Sequence, residues 1–217
     1  MRYNKSFKLI FEKHTTDLYH STTDTNLSSI LLDNQFKLTP LKIASHDELG
    51  VYARSNINPR IYPYYMSTSR SKTGHYIIGR DGNDVNIIKH TPITPMIHLN
   101  GRLISTRYPI RPVNFHSKAS NKYYQEQEDR IFSRKQFIAP ANKFIVDIHI
   151  HISAIAIKRK ATAAGVLDWI ANYDGILRNI NWLANKLHIP IYYYHDNVQS
   201  FMQQRRSKSS DVNRVLT

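Results

Sequence analysis

Three short segments carry side chains whose types and spacing could do chemistry. Tyr19-His20-Ser21-Thr22 sets an imidazole just ahead of a polar run suited to starting a helix. Ser67-Thr68-Ser69-Arg70 lines up three hydroxyls and a guanidinium, and Glu126-Gln127-Glu128-Asp129-Arg130 sets two carboxylates two residues apart. On an extended segment, side chains two apart share a face, so Glu126 and Glu128 could divide acid and base work between them. Each segment alone also has a plain reading: local hydrogen bonding before a helix cap, a polar strand end, and a solvated ion-pair patch. A fourth segment, Asp147-Ile148-His149-Ile150-His151-Ile152, has the His-x-His spacing that puts two imidazoles on one face of a strand. Its isoleucines read equally well as the apolar face of an ordinary strand. With no obvious further ligand, no metal is expected.

Composition narrows the classes of function. Thirty Lys+Arg against sixteen Asp+Glu in 217 residues leave a net charge of +14, which favours polyanionic partners such as nucleic acid or nucleotides. Hydrophobic residues make up 41% and charged residues 21%, enough apolar content for one buried core and too much for wholesale disorder. The absence of cysteine removes thiolate zinc sites, iron–sulfur clusters, disulfide staples and cysteine nucleophiles. The seven glycines form neither a GxGxxG nor a GxxxxGK[ST] phosphate loop. No apolar stretch approaches the roughly 18 residues of a membrane span, and the first residues lack a signal-peptide run. The expectation is a soluble, cytoplasmic chain with no membrane partner.

The elements that must position these residues follow from periodicity. Residues 6–13 read as helix or strand, and 17–21 as a strand that leads through Thr22-Thr23-Asp24-Thr25 caps into a helix over 26–34, with Leu27, Ile30 and Leu31 on one face. Strands are expected over 64–69, over 76–79 and 85–90 as a hairpin, and over 96–99 before an Asn100-Gly101 turn. Alternation predicts a long strand over 144–157. Helical period runs from 162 to 187, with Asp174-Gly175 expected to split it, and a last strand covers 189–195 with Ile191 to Tyr194 as structure. Strands clustered without regular βαβ alternation give an α+β fold with mainly antiparallel sheet. Residues 1–202 are expected to form one domain and 203–217 a mobile basic tail.

Taken together and in this order, the three motifs resemble those of the ADP-ribosyltransferase superfamily. Tyr19-His20-Ser21-Thr22 with Asn26-Leu27-Ser28-Ser29-Ile30-Leu31 resembles its histidine-type opening. Ser67-Thr68-Ser69 is similar to its Ser-Thr-Ser strand, and Glu126-x-Glu128 to its Glu-x-Glu motif. The likeness is to phage-encoded and DNA-targeting members, and the opening is shared with RNA 2′-phosphotransferases. It spans about the first 130 residues. Ser21 stands where Gly is common, and the combination mixes features of two branches.

The resemblance implies a split antiparallel β-sheet core with flanking helices and a glycosyltransferase that uses NAD as co-substrate. It implies that Glu128 is catalytic, stabilising the oxocarbenium-like ribose as nicotinamide departs; with Glu126, also a catalytic candidate, on the same face, the two carboxylates repel, and one of them is expected to act as base toward the incoming nucleophile. His20 would hold the adenosine-side ribose, the Ser21 backbone the nicotinamide amide, and Ser67, beside Thr68, the nicotinamide ribose or Glu128. By position and type, Tyr76 is a candidate ring for nicotinamide and Arg70 for the pyrophosphate.

Basic and aromatic residues interleave at Arg54, Arg60, Tyr62, Tyr64 and Tyr65, at Arg102, Arg107, Tyr108 and Arg111, and at Lys118, Lys122, Tyr123 and Tyr124. The last group precedes the Glu-x-Glu, where family members touch their targets. A basic, tyrosine-bearing loop suits phosphates and stacked bases. Nucleic acid is therefore expected as acceptor ahead of protein. The competing readings are a noncatalytic nucleic-acid-binding protein on the same fold and an RNA 2′-phosphotransferase-like enzyme.

Overall fold

A computed structural model describes residues 17–41, 57–70, 91–112, 128–164 and 166–195 of the chain. The expected elements at 6–13 and 76–90 and the tail at 203–217 lie outside the described residues. In chain order the elements are β1 (Asp17–Ser21), α1 (Asp24–Asp33), β2 (Phe36–Lys37), β3 (Thr39–Pro40), β4 (Tyr64–Ser69), β5 (Ile93–Asn100), α2 (Gly101–Ser105) and β6 (Ile110–Pro112). Then come β7 (Glu128–Ser133), β8 (Phe137–Ile138), a short 3-10 turn (Ala141–Lys143), β9 (Ile145–Ile152), α3 (Ala154–Ala164), α4 (Val166–Lys186) and β10 (Ile191–His195).

These elements form an α+β fold with a central, mostly antiparallel sheet and helices packed against it. Among the described residues, eight strands form one sheet in the order β10-β9-β5-β1-β4-β7-β6, with β3 added to β4, and only the β9–β10 pair is parallel. Strands β2 and β8 make a separate ribbon. The joints in the large sheet differ in width. Strand β1 pairs with β5 over five residues and β4 pairs with β7 over six, but β1 meets β4 at one registered pair, Tyr19 with Ser69.

Register explains the two faces. Leu18, Ile97, Leu99, Ile148 and Ile150 fall on one side of β1, β5 and β9. They join Leu27, Ile30 and Leu31 of α1 and Tyr173, Ile180, Leu183 and Ala184 of α4 in one buried core. The helical spacing of Leu27, Ile30 and Leu31 thus does what its pattern predicts. Helix α1 begins at Asp24 because the Thr23 hydroxyl accepts from the Asn26 amide at 3.1 Å, and it ends at Asn34 in the left-handed region.

Four departures from the sequence reading have a local reason. Strand β5 starts at Ile93, ahead of Pro95. The Pro95 carbonyl accepts from Thr22 at 3.3 Å, so the missing N–H points to the side where β1 has ended and breaks no ladder bond. Asn100-Gly101 opens helix α2 in place of a turn, because the Asn100 side chain accepts from the Leu103 amide at 2.9 Å. Strand β9 stops at Ile152, where the Ser153 hydroxyl accepts from the Ala156 amide at 3.2 Å and starts α3. Asp174-Gly175 does not split α4. Glycine in a helix interior costs only about 1 kcal/mol, and the buried stripe of Tyr173, Ile180, Leu183 and Ala184 outweighs it.

Candidate active site

The site grows out of the narrow joint between β1 and β4. After the Tyr19–Ser69 pair the two strands are tied by a side chain: His20 Nδ1 lies 2.9 Å from the Ser67 carbonyl oxygen. A carbonyl only accepts, so Nδ1 carries the hydrogen. Burial lowers the pKa of the ring below the ordinary histidine value, and the bond to Ser67 offsets this only in part. The ring is therefore neutral near pH 7, and Nε2 is left with a lone pair that accepts a hydrogen bond.

Ser67 also uses its hydroxyl, which donates to Glu128 Oε1 at 2.8 Å. Register accounts for this meeting: Ser67 stands opposite Arg130 and Ser69 opposite Glu128 on the β4–β7 ladder, so all four side chains share a face. Arg130 closes the group. Its Nε lies 3.1 Å from the same Oε1, and its guanidinium sits over the Tyr65 ring at 4.5 Å from the centroid. Glu128 and Arg130 are both buried.

The intervening residues point the other way. The Thr68 hydroxyl donates to the Asp129 carbonyl at 2.9 Å, and Arg70 Nε pairs with Asp129 Oδ2 at 3.2 Å. Burial pushes the Asp129 carboxyl up to about 6; the Arg70 charge pulls against this and Glu128 adds to it. His20 thus reaches the backbone of Ser67 from the Leu18 side of β1, and the Ser67 hydroxyl meets Glu128; Thr68 and Arg70 engage Asp129 on the face opposite the Ser67 and Glu128 side chains. Ser21 ends β1 one residue beyond His20. Glu126, Tyr76, Lys118, Lys122, Tyr123 and Tyr124 lie outside the described residues.

Arg130 and Tyr65 are the participants that motif reading passed over. An arginine after an acidic run reads as a solvated ion pair, and Tyr65 reads as part of a basic, aromatic surface stretch. The signal that finds them is parity. Tyr65 and Ser67 on one strand and Glu128 and Arg130 on the next alternate with period two, which aligns them once the strands pair. In the same stretch as Tyr65, Tyr62 lies under Arg134 at 5.5 Å, and in the second basic stretch Arg107 and Tyr108 pack on Phe144.

The polar side chains of the His-x-His strand share a face of the sheet with Tyr19. Asp147 Oδ1 lies 2.9 Å from His149 Nε2 and 3.2 Å from His98 Nδ1, while His98 Nε2 lies 3.0 Å from Asp17 Oδ1. His149 Nδ1 is 2.8 Å from the Tyr194 hydroxyl. Carboxylates only accept, so both His98 nitrogens donate and the ring is an imidazolium. Burial opposes that charge, but hydrogen bonds and charges from Asp147 and Asp17 more than reverse it, and the His98 pKa is raised. Asp147 is correspondingly held well below the carboxylate range against its own burial, by His149 and His98. Tyr19 stacks on His98 at 4.9 Å; burial, with Asp17 and Asp147 nearby, pushes its phenol up to about 12. Among the described residues no three histidine or acidic side chains are arranged to hold a metal. His149, which the spacing offered as a ligand, is a link in a polar chain from Asp147 to Tyr194.

No family model, curated protein or solved structure matches the chain.

Proposed function

We propose that the chain is an NAD-dependent ADP-ribosyltransferase that moves ADP-ribose from NAD to a macromolecule, with nucleic acid as acceptor ahead of protein. One observation carries the reading. Three motifs separated by 47 and 61 residues meet through one residue, Ser67, whose carbonyl accepts from His20 and whose hydroxyl donates to Glu128. The narrow β1–β4 joint supports a sheet made of two half-sheets with this site at their seam, the split arrangement that the resemblance implies.

The chemistry suits the groups. The bond between ribose C1′ and the nicotinamide nitrogen breaks, its electron pair leaves with neutral nicotinamide, and positive charge develops on the ribose. A fixed carboxylate in a partly dry site stabilises that charge strongly. An acceptor oxygen or nitrogen then bonds to C1′ and gives up a proton. Glu128 takes the stabilising role. The His20 Nε2 lone pair accepts from a ribose hydroxyl, the Ser21 backbone holds the nicotinamide amide, and Glu126 receives the acceptor's proton. The net charge of +14 exceeds what a single pyrophosphate needs, which favours a nucleic-acid acceptor.

The test is incubation with labelled NAD and separate pools of DNA, RNA and cell protein. Label is expected in nucleic acid, and a folded Glu128→Ala protein is expected to transfer none. Normal transfer by that variant would sink the assignment. Salt-sensitive nucleic-acid binding with no NAD turnover would replace it with a noncatalytic binding protein.

A further inference from the structure

Among the described residues, both groups that contact the Glu128 carboxylate take the same oxygen. The Ser67 hydroxyl donates to Oε1 at 2.8 Å and Arg130 Nε reaches Oε1 at 3.1 Å. An arginine beside a carboxylate is commonly bidentate, with two parallel N–H bonds to the two oxygens. Here the guanidinium lies over the Tyr65 ring, 4.5 Å from its centroid, and meets the carboxylate through Nε at Oε1. Stacking on an aromatic face and a fixed planar fork are properties that lysine lacks. Pairing places all the parts: Tyr65 and Ser67 on β4 face Phe132 and Arg130 on β7, with Glu128 two residues before Arg130 on the same face.

We infer that Arg130, braced by Tyr65, is a positioning residue that pins Oε1 of Glu128 and so reserves Oε2 for the substrate's ribose hydroxyl. The inference rests on the ADP-ribosyltransferase reading for what Oε2 meets, but not for how the carboxylate is held. Arg130 acts through Glu128 and does not itself touch the sugar. A carboxylate free to rotate would still let NAD bind and would be misplaced when charge develops on the ribose, so the effect belongs in kcat and not in KM.

The experiment measures nicotinamide release from NAD by the full chain, as kcat and KM, for the wild type, Arg130→Lys, Tyr65→Phe and Tyr65→Leu. Arg130→Lys keeps the charge and loses the Nε contact and the stack; its kcat is expected to fall on the order of tenfold to a hundredfold, with KM within about twofold. Tyr65→Phe keeps the ring face and is expected to retain more of the wild-type kcat than Tyr65→Leu, which loses about tenfold. A wild-type kcat in Arg130→Lys, or equal behaviour of the two Tyr65 variants, overturns the proposal. If Arg130→Lys does not fold, the Tyr65 pair decides. If the wild type neither binds nor turns over NAD, the functional reading falls, and crystal structures of the wild type and Tyr65→Leu judge the positioning. A carboxylate that turns away from Ser67, or engages Arg130 through both oxygens in the variant, supports it; an unchanged carboxylate overturns it.

Discussion

Ser67 does two jobs with two different atoms, and this makes them separable. Its carbonyl belongs to the backbone and survives substitution; its hydroxyl does not. Ser67→Ala should therefore leave the His20 contact in place and release one of the bonds to Glu128 Oε1. A hydrogen bond to a charged group contributes about 1.5–3 kcal/mol, which corresponds to a fall in kcat on the order of tenfold to a hundredfold. Nicotinamide release at saturating NAD checks this, and Ser67→Thr, which restores a hydroxyl, should recover most of the rate. His20, Ser67 and Glu128 were legible in the sequence because each opens or sits within a motif whose residue types are unusual together. Arg130 and Tyr65 were not. An arginine's partner is decided by the neighbouring strand, and one chain segment looks the same whether its arginine meets water or a buried carboxylate.

The strands and helices were legible where one signal dominated and misread where a single side chain redirected the backbone. Strand β4 begins and ends where its apolar and hydroxyl pattern does. Strand β9 was expected to run on because its alternation continues, yet the Ser153 hydroxyl captures the Ala156 amide and turns the chain into α3. The interior of β9 was legible as a strand with one apolar face, but not the destination of its polar face. There His98, clamped between Asp17 and Asp147 with Tyr19 stacked on it and His149 on the far side of Asp147, ties β1, β5 and β9 together. This clamp has a pH signature. The folded pKa of His98 is raised, so its stabilisation is fully present below the unfolded histidine value of about 6.5 and is lost as pH rises through the folded value. The stability advantage of the wild type over His98→Gln should therefore be largest in mild acid and shrink as pH rises from about 6 toward 9. Urea melts of both proteins across that range check it; an advantage that grows with pH would contradict the clamp.

At the scale of the whole molecule, charge and topology act together. A net charge of +14 gives binding to any polyanion a strong dependence on salt. If about six phosphates are neutralised, affinity for DNA or RNA should fall by roughly a thousandfold between about 50 and 200 mM salt. Glu128→Ala should show the same fall while transferring no label, which separates holding the acceptor from reacting with it; filter binding at several salt concentrations measures both. The fold class was legible from the order of elements. The order of strands was not, because it depends on pairings across long stretches of sequence. That order has a further consequence at the seam. Among the described strands, β10, β9, β5 and β1 lie on one side of it and β3, β4, β7 and β6 on the other. The chain crosses from β1 to β3, returns from β4 to β5, crosses again from β5 to β6 and returns from β7 to β9. Neither side is a continuous stretch of polypeptide, so no single cut yields either one alone. Most of the pairings that build the site are distant in sequence, which places folding toward the slow end for a chain of this size. A ribosome that has released only the first hundred residues has made His20 and Ser67 but not yet β7, so the Ser67–Glu128 contact cannot form until most of the protein exists.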